Sequence, residues 1–101
     1  MKDYKVHVTP AAWKEMKELP GHMRQRVRKA VDALAEDPRP PKSKALDLPD
    51  LPAEVRRLRL DRWRIVYIVS DADETVDVLA VRKRPPYDYG DLAALLEGLS
   101  S

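Results

Sequence analysis

The chain has 101 residues, 44% of them hydrophobic, and its 19 Lys+Arg against 17 Asp+Glu leave a formal net charge of +2. That length buries one modest core, so a single domain over 1–101 is expected. With no cysteine, no apolar run near the ~20 residues of a membrane helix, and no apolar centre in the opening MKDYKVHVTP, disulfide scaffolds, thiolate enzymes and membrane proteins are set aside in favour of a cytoplasmic domain.

Tyr4–Val8 alternates and predicts a short strand. Thr9 offers a capping hydroxyl and Pro10 suits the first helical position, so a helix follows, with Ala12, Met16 and Leu19 as its apolar stripe and Trp13 beside them. Leu19-Pro20-Gly21 breaks it. From His22 to Glu36, Met23, Val27, Ala30, Val31 and Leu34 recur at helical spacing, which predicts a second helix and a helical hairpin. Asp37–Pro52 holds five of the nine prolines and reads as a loop. Strands are predicted over Glu54–Leu60, Trp63–Ser70 and Thr75–Lys83, and a last amphipathic helix over Asp91–Leu99 after Pro85–Gly90. The order β-α-α-β-β-β-α implies an α+β fold, a small antiparallel-rich sheet with the N-terminal helical hairpin on one face. With no Phe, the aliphatic residues, Tyr67, Trp13 and Trp63 are expected to fill the core.

Charge is distributed unevenly. Five arginines fall between Arg56 and Arg64, and further cations gather over Arg24–Lys29 and Arg82–Arg84. Strand parity sorts them: Leu58 and Leu60 share one face, Arg57 and Arg59 the other, and Arg64 alternates with Ile65. If the helices cover Leu58 and Ile65, then Arg57, Arg59, Arg64, Arg82 and Arg84 gather on the open face and invite a phosphate. Val76, Val78 and Ile68 are expected on that same face as an exposed apolar strip suited to a protein partner. A plainer reading has Asp47, Asp50, Glu54 and Asp61 neutralising the arginines. His7 and His22 read as ordinary strand and helix residues. Asp71, Asp73, Glu74 and Asp77 read as turn residues rather than a metal site.

The stretches LRLDRWRIVYIV and LAVRKRPPYDYGDL, with EDPRPPKSKAL upstream and KVHVTPAAWKEMKEL at the N-terminus, resemble the RelE/ParE superfamily of bacterial toxin–antitoxin toxins, RelE-like members above all. The resemblance spans essentially the whole chain. It implies a type II toxin that cuts mRNA on the ribosome without metal or other cofactor and is held inactive by a cognate antitoxin. Operator DNA is a further implied partner of the toxin–antitoxin complex. By position, Arg57 falls where the RNA-cutting members place a basic residue on the first strand of the hairpin, Arg64 on the arginine that contacts the scissile phosphate and Arg84 on the second catalytic arginine, while Tyr89 or Tyr87 stands near the family's C-terminal tyrosine. Arg59, Arg82 and Lys83 are expected to bind RNA beside them. Two departures stand out: Val55 occupies a place where some members have lysine, and Asp61-Arg62 replace the glycine common in the turn.

Such a set matches metal-free cleavage, in which the 2′-OH attacks the adjacent phosphate and guanidiniums stabilise the developing charge. Proton transfer needs another group, and a tyrosine lowered by neighbouring guanidiniums is the natural base. The alternative from the same resemblance is a ParE-like protein inhibitor of DNA gyrase without nuclease activity. A third is a degenerate member that only binds its antitoxin and operator.

Overall fold

The structure, a computed structural model, describes residues 3–46 and 53–83. Along them run β1 (Lys5–Val8), α1 (Pro10–Lys17), α2 (Gly21–Ala33), β2 (Ser43–Ala45), β3 (Glu54–Leu60), β4 (Trp63–Ser70) and β5 (Thr75–Lys83). Thr9 starts α1 as its sequence predicts. Its hydroxyl accepts from the Ala12 amide at 3.2 Å and donates to the Val78 carbonyl at 2.9 Å, so one side chain both caps the helix and ties it to the sheet. α2 stops at Ala33, short of the predicted Glu36, because the next amides reach back only three residues: Leu34 to Val31, Ala35 to Asp32, Glu36 to Ala33. That is the tightened last turn typical of a helix end.

The strands form one sheet in the order β1-β5-β4-β3-β2. β1 pairs with β5 in parallel and the other three pairings are antiparallel, so the α+β, antiparallel-rich expectation holds. One strand was not foreseen. Ser43–Ala45, inside the proline-rich stretch read as a loop, pairs with Leu58, Arg57 and Arg56 at the sheet edge. Pro40 and Pro41 precede the pairing, where their missing amides interrupt no ladder. The predicted helix over Asp91–Leu99 lies outside the described residues.

The helices cover one face of the sheet. Ala12, Met16, Leu19, Met23, Val27, Val31 and Leu34 pack on Leu58, Ile65, Tyr67, Val69, Val76, Val78 and Val81. The helical stripe is the one its spacing predicts, except that Trp13 is 45% exposed and does not fill the core. The far face carries a second buried cluster, Val55, Val66, Ile68, Leu79 and Ala80.

That division corrects the placement of Val76 and Val78. A bulge between Val66 and Tyr67 sets Val66 opposite Ala80 but Tyr67 opposite Val78, leaving Leu79 as an extra residue. The insertion flips parity along β5. Val76 and Val78 therefore lie fully buried under the helices, while Ala80 and Arg82 stay on the far face. Ile68 does lie on the far face, but it is buried, so the expected exposed apolar strip is not formed by these three. At the β3–β4 turn Asp61 takes φ 59, a left-handed conformation that Asp adopts more readily than most side chains. It thereby does the work of the absent glycine.

Candidate functional site

The far face concentrates cations in register. Arg59 stands opposite Arg64 and Arg64 opposite Arg82, one arginine on each of three neighbouring strands. A row away, Lys44 stands opposite Arg57, which faces Val66. Directly opposed residues hold their Cβ atoms roughly 4.5–5.5 Å apart, and like charges so placed repel. Sequence parity brought Arg57, Arg59, Arg64 and Arg82 to this face but missed Lys44. The strand that presents Lys44 is only three residues long, too short for alternation to show, although the SKA triplet after two prolines is an edge-strand signal in retrospect. Lys83 is not brought into the row. It stands opposite Trp63, on the helix-side parity, at the exposed end of β5.

The three arginines of the row have different surroundings. Arg59 is exposed and Arg82 half-buried. Arg64 is buried, only 3% exposed, and its Nη1 donates to the Asp61 carbonyl at 3.0 Å and the Trp63 carbonyl at 2.9 Å. In this form it braces the turn from which the row starts. Among the described acids, those nominated to neutralise the row are engaged elsewhere. Glu54 pairs with Arg39 and Arg56, and Asp61 with Arg26 at 3.5 Å. Glu15 of α1 reaches the row. One of its oxygens accepts from the Val81 amide at 3.0 Å and the other from Arg82 Nε at 3.2 Å. Asp47 and Asp50, like Arg84, Tyr87 and Tyr89, lie outside the described residues.

The strongest electrostatic cluster sits at the other end of the sheet, and it is structural in design. Arg39 grips Glu54 with two donors at 2.8 and 2.9 Å and reaches Asp71 at 2.9 Å. Asp71 in turn accepts from the Tyr4 hydroxyl at 2.6 Å. Arg56 bridges Glu54 to the Ser43 hydroxyl. These bonds clamp the 37–43 segment onto β3. The Arg39 guanidinium holds Glu54 below the usual carboxylate range against the opposing effect of burial. The two carboxylates hold Arg39 firmly protonated, Glu54 contributing most.

No described tyrosine is tuned to be a base. Burial pushes the Tyr67 phenol up, and it donates to the Pro38 carbonyl at 2.7 Å; the bond to Asp71 raises Tyr4 as well. His7 is an exposed residue of β1, opposite Asp77, and His22 an exposed residue in the first turn of α2. In the β4–β5 turn Ser70 and Asp73 bond one another. Among the described residues no group of His, Cys, Asp and Glu could hold a metal, and no helix is long and apolar enough to cross a membrane.

A family model described as the ParE toxin of the type II toxin–antitoxin system parDE matches residues 6–85. The chain belongs to this ParE toxin family. The match begins within β1 and ends just past β5, so the toxin family's pattern takes in both helices and the whole arginine row. In solved structures the toxin is similar to a chain of the RelBE2 toxin–antitoxin complex of Mycobacterium tuberculosis, at 24% identity over 81% of this chain and 99% of that one, with TM-score 0.70. It is similar to the isolated Escherichia coli RelE toxin at 26% identity, covering 90% and 95% of the two chains, with TM-score 0.67. It is also similar to a chain of the intact E. coli RelBE toxin–antitoxin complex at 30% identity, covering 79% and 95%, with TM-score 0.62. The toxin thus has the RelE-like fold within the RelE/ParE superfamily. No curated protein matches it.

Proposed function

We propose that the toxin is a ribosome-dependent mRNA endoribonuclease that works without a metal, by attack of the substrate's 2′-OH on the adjacent phosphate, which breaks the bond to the 5′ oxygen and leaves a 2′,3′-cyclic phosphate and a 5′-hydroxyl protonated from water. The observation that carries this reading is the row Arg59–Arg64–Arg82 with Arg57 beside it, all on the face away from the helices. Guanidiniums fixed before the reaction fit the two non-bridging oxygens of the transition state and need little reorganisation as charge develops. Arg64, at the centre, contacts the scissile phosphate. Arg57 and Arg84 complete the clamp, and Arg59 and Arg82 steer the flanking strand. Tyr89, or Tyr87, takes the 2′ proton, a role for which the buried, upward-shifted Tyr67 is unsuited. The RelE likeness supports the reading. One solved E. coli RelE carries two arginine-to-alanine substitutions two residues apart, the spacing of Arg82 and Arg84 here. The solved E. coli RelBE toxin–antitoxin complex supports a cognate antitoxin as partner.

Burial of Arg64 sets a condition on this mechanism: the guanidinium must be uncovered before a phosphate can reach it. The same burial, with a family model that is ParE's, favours a second reading in which the toxin inhibits DNA gyrase and Arg64 is a brace. Kinetics of Arg64→Ala on mRNA-programmed ribosomes separate the two. Single-turnover cleavage should fall about 10²-fold or more. Ribosome affinity should change far less, because many other cations contribute to it. Arg64→Lys should recover only part of the rate, lacking the bidentate fork. If the wild-type toxin leaves messages intact in primer extension but blocks gyrase supercoiling, the nuclease reading is lost.

A further inference from the structure

A second cationic surface lies on the helical hairpin, away from the sheet. Trp13 on α1 is the one large apolar side chain exposed among the described residues. Lys17, one turn on, holds its Nζ 5.6 Å from the indole centroid, within cation–π range. Beside the ring opens a cleft of about 190 Å³ lined by Trp13, Met16, Lys17, Arg24 and Arg28. Arg24 and Arg28 are exposed and stand one turn apart on α2, where like charges repel. Arg24 is held toward the interhelix break by a 3.1 Å bond to the Leu19 carbonyl. Among the described residues none of Lys17, Arg24 and Arg28 forms an ion pair, although Glu18 and Asp32 lie within a turn of them. An exposed ring rimmed by three cations that form no ion pair among the described residues calls for an anion that also presents a flat face.

We propose that this cleft binds single-stranded nucleic acid, a base stacking at Trp13 and flanking phosphates meeting Lys17, Arg24 and Arg28. An amphipathic protein segment fits less well. It would need an apolar strip, and here a single ring is exposed while Ala12 and Met16 are buried. Stacking on an aromatic beside a basic groove is the usual grip on unpaired strands and tolerates any base. The site goes beyond cleavage: it is a landing place on the helical layer rather than on the sheet face that carries the arginine row.

Fluorescence anisotropy of a labelled adenine octamer tests it, with the full-length toxin and strands that cannot undergo 2′-OH attack, one DNA and one 2′-O-methyl RNA. Trp13→Ala should weaken binding about tenfold, and Trp13→Phe should keep most of the affinity. Arg28→Ala should flatten the log K against log salt slope by about 0.7. Binding of either strand with these losses supports the site, and the tighter strand names its natural source. Wild-type affinity in both Trp13→Ala and Arg28→Ala overturns it, as does a short polyglutamate competing as well as the octamer. Because Trp13 is exposed, unchanged thermal melting of these variants shows that the fold is kept. Loss of binding in Arg64→Ala alone would place the strand on the sheet face only, overturning this site while leaving the nuclease reading intact.

Discussion

Tyr67 shows how much one hydroxyl can be asked to do. Its ring is fully buried among the helix-side residues, and its phenol satisfies the Pro38 carbonyl at 2.7 Å. Phenylalanine would keep the ring and leave that carbonyl without its donor, which costs about 1–3 kcal/mol. Tyr67→Phe should therefore lower the urea midpoint with an unchanged m value; a variant as stable as the wild type would show that water or another donor replaces the phenol. The sequence marked Tyr67 as a core residue on the Ile65 face. Its bond to Pro38 was not legible, because the acceptor sits in a segment whose path no periodicity describes. Arg64 teaches a similar lesson. Alternation along β4 put it on the correct face, but burial depends on what lies above a strand, and alternation is silent about that.

At the scale of elements, the signals that spoke clearly were those repeated several times. The stripe Met23, Val27, Val31, Leu34 fixed the buried side of α2, and three long strands were found within a residue of their ends. What failed were features too short to repeat: a three-residue edge strand, and the extra Leu79 that inverts parity along β5. The clamp of Arg39, Glu54 and Asp71 was equally hidden, since it joins residues far apart in sequence. It has a pH signature. Glu54 is shifted downward in the folded state, so its contribution is complete above the ordinary glutamate range near 4.5 and is lost as pH falls through the lower folded value. Wild-type stability should decline on acidification below about 4.5. Glu54→Gln should be less stable at neutral pH and decline less over that acid window. Parallel unfolding curves for the two proteins from pH 6 to 3 would show that Arg39 gains nothing from the charge.

For the whole molecule, the decisive feature is the position of β5 between β1 and β4. It contributes Val76, Val78 and Val81 to the helix-side core and Leu79 and Ala80 to the other. A chain ending at Ser70 would lose the strand that joins β1 to the rest, along with part of both clusters. It should show no cooperative thermal transition by circular dichroism; a sharp transition would mean that the helices and the β3–β4 hairpin suffice. The parallel pairing of β1 with β5 also fixes an order of events during synthesis. Thr9 waits for Val78, 69 residues later, before its hydroxyl finds its acceptor. Contacts so distant form late and slowly. A growing chain that has made both helices and even β4 therefore still lacks a closed sheet, and Arg82, the last member of the row, arrives on the very strand that closes it. The joined sheet and the row Arg59–Arg64–Arg82 are therefore completed by the same strand, so on the proposed reading of that row a nascent fragment that stops before β5 lacks the surface that would grip RNA.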